Sequence, residues 1–294
     1  MEKAVYHLPG LFEFYDFYRK FLPIYREKTE YFYDWCQIGS LYGAPADCLW
    51  AGGRVSTGNA DPRQVLALAE EYGLSARLTF SNSLLRPEHL KDPKCNRLCA
   101  LFGAEPGNGV IVHSELLLDY LKEKYPNFYF VSSTTKVLTD FEDLAAETER
   151  PDFRYVVPDF RLNKAFDRLA GLKEKRKVEF LCNECCWPGC RERKKCYENV
   201  SRKNLGERCP DHICAAPEGK KGYRFSAAMK NPAFIGIRDI RETYLPMGFS
   251  QFKIEGRGLG SAMLLEFILY YLTKPEYQLL LREEMYLDSM LDLF

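Results

Sequence analysis

The sequence has no excess of charge of either sign: 41 Lys and Arg stand against 41 Asp and Glu in 294 residues. That removes the broad electrostatic footprint of a general nucleic-acid binder, although a local basic patch can still hold one particular RNA. Long hydrophobic runs are also missing. The longest, 262–272, spans eleven residues and contains Glu266, well short of the roughly 20 needed to cross a bilayer. No membrane span is expected. The first ten residues, MEKAVYHLPG, lack both a long apolar block and a small-residue cleavage site, so the expected compartment is the cytoplasm. Solenoid-period repeats and low-complexity tracts are absent. With 46% hydrophobic residues, the chain can build a sizeable core, and disorder is excluded.

Cysteine is abundant: eleven residues, seven of them between Cys182 and Cys214. A reducing compartment disfavours structural disulfides, so thiolates held by a metal are the better reading.

Short apolar or β-branched runs occur at 4–6, 35–38, 77–80, 110–112, 128–131, 155–157, 178–181 and 252–254. Helical patterns fall between them at 11–22, 62–71, 114–124, 138–149, 163–172, 239–245 and 261–272, the first ending before Pro23. Eight strands alternating with helices predict an α/β fold, a (β/α)8 TIM-type barrel forming a single domain over 1–294. An open doubly wound sheet is the rival. Polar residues come after the strand runs: His7, Tyr42, Asn82, His113, Ser132, Asp159, Asn183, Glu184, Glu255 and Arg257. In a barrel the loops after the strands form one active face, so these side chains are expected to converge there. The step from strand seven to strand eight is far longer than the others. It marks a Cys-rich metal-binding insertion at 182–225 after strand 7, and a C-terminal helix is expected over 275–294.

The segment after strand seven, LCNECCWPGCRERKKCYENVSRKNLGERCPDHIC, points to a metal and leaves its identity open. A zinc site needs four donors, and the Cys182–Cys185 pair with His212 or a later cysteine would supply them. Seven thiols exceed that need and sit on the expected active face, which favours an iron–sulfur cluster. The radical S-adenosylmethionine spacing CxxxCxxC is absent because position 189 is Gly. Lys253, Glu255 and Arg257 alternate, so they share one side of a strand. Glu255 then suits acid/base work and Arg257 an anion clamp, or all three form an internal ion-pair lattice.

Asn183, Glu184, Cys186, Pro188, Cys190, Arg193 and Cys214, with FKIEGR at 252–257, resemble the collagenase-like proteins of peptidase family U-thirty-two. LYG at 41–43, GGR at 52–54, TFSN at 79–82 and VVPD at 156–159 resemble its strand-end motifs. The resemblance covers most of the chain. It implies a TIM-type barrel with an iron–sulfur cluster, [4Fe-4S], and iron–sulfur-dependent, oxygen-independent hydroxylation or a related oxidative modification of a small molecule or RNA. Cys186, Cys190 and Cys214 are the implied ligands, Cys209 is taken as the fourth, and Cys182 or Cys196 are alternates. Glu255, Arg257, Asn82 and Asp159 are the expected catalytic residues. The alternative is a zinc-stabilised barrel acting as a binding or scaffold subunit of a modifying complex, and peptide hydrolysis stands third. A protein partner or a homo-oligomer is compatible with the dense aromatics of 11–33 and with the C-terminal helix.

Overall fold

The computed structural model describes residues 2–53, 58, 60–216 and 223–291, without the side chains of 287–291. Eight parallel strands make one sheet: β1 (Ala4–Pro9), β2 (Cys36–Gly43), β3 (Ser75–Phe80), β4 (Gly109–Val112), β5 (Tyr129–Ser132), β6 (Phe153–Val156), β7 (Glu179–Leu181) and β8 (Gln251–Lys253). Their spatial order is β6-β5-β4-β3-β2-β1-β8-β7. A parallel bridge between Val156 and Val178 joins the two ends, so the sheet is a nearly closed barrel. The expected barrel stands, and the rival open sheet falls.

The helices lie between the strands: α1 (Tyr15–Glu27), α2 (Pro62–Glu71), α3 (Pro93–Phe102), α4 (Glu115–Lys124), α5 (Phe141–Glu149) and α6 (Phe166–Ala170). After β7 come α7 (Arg193–Asn204), α8 (Phe225–Ala228) and α9 (Ile237–Asp239), and β8 is followed by α10 (Ser261–Tyr271) and α11 (Gln278–Leu291). Several starts are written locally. Asp61, Asp92, Ser114 and Asp140 each accept a backbone N–H of the first turn of α2, α3, α4 and α5, satisfying donors that a helix leaves open. Pro62 and Pro93 occupy the first helical position, where a missing N–H costs nothing. Helix α1 departs from expectation by running through Pro23 to Glu27. Buried Tyr18, Phe21 and Leu22 hold the turn before the proline, and Ile24 and Tyr25 pack beyond it, so packing outweighs one lost hydrogen bond.

The period of two along the strands sorts side chains between two environments. Val110 and Val112 face the helices, whereas Ile111 faces inward with Tyr42, Val131, Val157 and Leu181. On β3, Ala76, Leu78 and Phe80 belong to the outer core, and the alternate residues Arg77 and Thr79 are buried on the other side. On β8, Phe252 and Ile254 pack outward. Gln251 and Lys253 turn toward the barrel axis.

His7, expected at a strand end, is instead inside the barrel because β1 continues to Pro9. Its Nδ1 lies 2.8 Å from Ser40 Oγ and its Nε2 lies 3.1 Å from Gln251 Oε1. Around it, Arg77 Nη1 donates to Glu179 Oε2 at 2.5 Å, Lys253 Nζ to Glu179 Oε1 at 3.3 Å, and Arg77 Nε to Tyr129 OH at 2.7 Å. Burial would raise the Glu179 carboxyl, but Arg77, His7 and Lys253 prevail and hold it well below the usual carboxylate range. Burial, reinforced by Arg77, pushes His7 down to about 3. A layer of paired charge therefore forms the floor on which the mouth is built.

Candidate functional site at the barrel mouth

Above that floor a cavity of about 350 Å³ opens at the strand C-terminal ends. Its apolar wall is Tyr42, Ile111, Val157, Leu181 and Leu259, and its polar wall includes Thr79, Ser81, Glu184, Cys185, Lys253 and Glu255. Each polar residue is placed by an identifiable element. Lys253 ends β8, with its Nζ 3.4 Å from the centroid of the Tyr42 ring. Burial pushes this amine down to about 8, partly countered by Glu179 and reinforced by Arg77.

Glu255 is carried just past β8. Its backbone N–H donates to Asn183 Oδ1 at 2.7 Å, and Asn183 Nδ2 donates back to the Glu255 carbonyl at 3.0 Å. The Asn183 side chain thus prolongs the β7–β8 pairing beyond the last backbone rung and fixes the segments leaving both strands. Glu255 Oε2 accepts the Cys185 N–H at 3.3 Å. Arg257 lines the cavity as well, but its Nε donates to Glu13 Oε1 at 2.9 Å and its Nη2 to the Ala44 carbonyl at 3.2 Å. Much of its hydrogen-bonding capacity therefore joins loops. Gly52 is required for the same convergence, since a Cβ there would stand 2.2 Å from the Ser81 carbonyl.

Asn82 and Asp159 do not line the cavity. Asn82 Nδ2 donates to the Leu49 carbonyl at 3.0 Å and to the Ser201 carbonyl at 3.1 Å, which ties α7 to the loops after β2 and β3. Asp159 receives Arg161 Nε at 2.6 Å and Nη2 at 3.0 Å. His113 is hydrogen-bonded to Thr135 Oγ1 at 2.8 Å, outside the cavity lining.

Arg161 and the buried Arg193 frame the first cysteines of the insertion. Arg161 Nη1 donates to the Cys190 carbonyl at 2.9 Å. Arg193 Nη2 donates to Glu184 Oε2 at 2.5 Å, and the guanidinium lies over the rings of Phe160 and Tyr197. Burial lifts the Cys186 thiol to about 11, while the neighbouring Arg193 pulls it back down. Arg193 Nε stands 3.4 Å from an Asp159 oxygen as an ion pair, yet Nε and Nη1 are buried and make no hydrogen bond among the described residues. A buried guanidinium beside Cys186, paired through Nε with Asp159 and with Nη1 making no hydrogen bond among the described residues, suits a thiolate held in its anionic form.

The four cysteines expected as ligands have unequal surroundings. Cys190 is buried and Cys186 and Cys209 are partly so, whereas Cys214 is exposed. Cys209 Sγ accepts Asn199 Nδ2 of α7 at 3.6 Å. Of the alternates, Cys182 is buried in the outer core and Cys196 lies on α7. Cys95 and Cys99 are buried on α3, with Cys95 Sγ 3.1 Å from Cys48 Sγ, so they pack a helix as expected for interior thiols. Arg54, part of the strand-end pattern, and 217–222 of the insertion lie outside the described residues.

Sequence reasoning named Cys185 only as half of a Cys182–Cys185 zinc pair and did not single out Thr79 or Ser81 as site residues. Period-two alternation continued through TFS would have placed both hydroxyls on the barrel's inner side.

No family model matches the sequence, and no curated protein does. A solved structure described as the U32 peptidase Mk0906 matches with a TM-score of 0.56 at 15% identity, over 87% of this chain and 94% of that one. At that identity the likeness is one of fold, and it is the fold that the sequence resemblance implied.

Proposed function

We propose that this chain is an iron–sulfur enzyme that carries out an oxygen-independent hydroxylation, or a related oxidative modification, on a small molecule or an RNA segment held at the barrel mouth. The observation that carries the reading is the buried Arg193 guanidinium beside Cys186, held by Glu184, which itself lines the cavity walled by Lys253 and Glu255. Cys186, Cys190, Cys209 and Cys214 would hold the cluster. When bound, it supplies one-electron transfer. The chain's own residues do the remaining work. Thr79 and Ser81 offer hydroxyls to a polar group of the ligand, the Ile111, Val157 and Leu181 wall excludes water, and Glu255 accepts or returns a proton at a carboxylate oxygen. Lys253 places positive charge on the same wall. Peptide hydrolysis, the activity in the name of the similar structure, has less support: no histidine is among the described residues that line this cavity.

Anaerobic purification tests the reading. The expected product is brown, with about four iron per chain and a paramagnetic signal on reduction, both lost in Cys186→Ala and Cys190→Ala. Colourless protein carrying stoichiometric zinc after anaerobic reconstitution would overturn it.

A further inference from the structure

One group of side chains on the cavity wall has no part in that ligand set. Glu184, Cys185 and Glu255 each present a donor atom within 4.8 Å of the others. Cys185 Sγ lies 3.5 Å from Glu184 Oε1 and 3.9 Å from Glu255 Oε1. With a zinc–sulfur bond of about 2.3 Å and a zinc–oxygen bond of about 2.1 Å, the sulfur–oxygen edge of a tetrahedron is about 3.6 Å. The two edges bracket that value. All three residues line the cavity, so a fourth, open position on such an ion faces the space where a ligand sits.

A second observation points to an occupant of the same cavity. Thr79 Oγ1 and Ser81 Oγ are buried, line the cavity and have no hydrogen-bond partner among the described residues. Their residues are 6% and 1% exposed. Buried hydroxyls are normally satisfied, so these two await an oxygen- or nitrogen-bearing group. The scaffold of the three donors is rigid. Asn183 clamps the backbone on either side of the site, and Arg193 anchors Glu184 through its other oxygen, the support that holds a metal ligand in one orientation.

We infer that Glu184, Cys185 and Glu255 form a mononuclear site for a divalent first-row ion, zinc foremost, separate from the sulfurs assigned to the cluster. Three protein ligands and an open position are the arrangement of a catalytic rather than a structural site. The thiol proton leaves to solvent as the sulfur binds. The fourth position takes a water or an oxygen of the cavity ligand, whose other polar groups meet Thr79 and Ser81.

Cobalt(II) is the probe, added anaerobically to the chelator-stripped full chain. A near-ultraviolet thiolate-to-cobalt band is expected. It should persist in the Cys186→Ala, Cys190→Ala double variant. It should disappear when Cys185→Ala is added to that double variant, and in the same background cobalt affinity should fall at least tenfold with the shape-preserving Glu255→Gln. Absence of the band in the wild type, its loss in the double variant, or its undiminished survival when Cys185→Ala is added to the double variant would overturn the inference. The iron signal of the proposed cluster is read separately, so either proposal can fail alone.

Discussion

At the scale of single residues, the barrel floor sets how the molecule responds to acid. His7 is about 100-fold or more harder to protonate in the folded chain than in the unfolded one, since burial and Arg77 bring it from 6.5 to about 3. The unfolded state therefore takes up a proton between these two values while the folded state does not. His7 contributes stability that is complete above pH 6.5 and is lost as pH falls toward 3, at up to about 1.4 kcal/mol per pH unit. His113, lowered to about 4 by burial with Lys136 and Lys194, acts in the same direction. Denaturant titrations at about pH 6.5 and about pH 4.5 should show reduced stability at the lower pH, with a smaller drop in His7→Gln. An equal drop in that variant would mean that His7 is not held neutral inside. The sequence showed which residue types lie at the barrel ends, but not that β1 runs on and draws His7 inside. An alternating pattern has no marker for where a strand stops, and YHLP reads equally well as a strand end.

At the scale of elements, the insertion is joined to the barrel by a few named contacts. Asn82 donates to the Ser201 carbonyl, and Ser83 N–H donates to Ser201 Oγ at 3.1 Å. Asn204 Nδ2 donates to the Ala51 carbonyl at 2.5 Å. Through these bonds Asn82, expected after β3 as a catalytic residue, ties α7 to the loops after β2 and β3. Asn82→Ala removes the donor of the part-buried Leu49 carbonyl and one of the two donors of the Ser201 carbonyl, whose other is the Leu205 N–H, at a cost of about 1 kcal/mol. Hydrogen exchange should quicken in 193–204 and remain unchanged in α4 and α5. Uniform exchange in α7 would show that other contacts hold the insertion. The eight strands were legible because each is a short apolar run bounded by polar residues. The clamp was not, since an Asn after a strand reads alike whether it faces a cavity or a neighbouring helix.

At the scale of the whole molecule, the barrel topology accommodates the long connection that follows β7. Loops after strands all open on one face, so an insertion there grows over the mouth without disturbing the barrel. The return path is secured where the Ile235 N–H donates to the Cys182 carbonyl and Tyr271 OH to the Ile235 carbonyl. Cysteine density at 182–214 pointed to a metal in this region. It did not disclose the surroundings of Arg193, which Phe160, Tyr197 and Glu184 create by meeting around it in three dimensions. The central proposal is that iron resides beside this arginine. Anomalous diffraction at the iron edge, from crystals of anaerobically purified protein, tests it most directly. A peak bonded to Cys186 and Cys190 Sγ and within reach of the Arg193 guanidinium is expected. Iron bound elsewhere, or no iron peak in fully loaded protein, would contradict it.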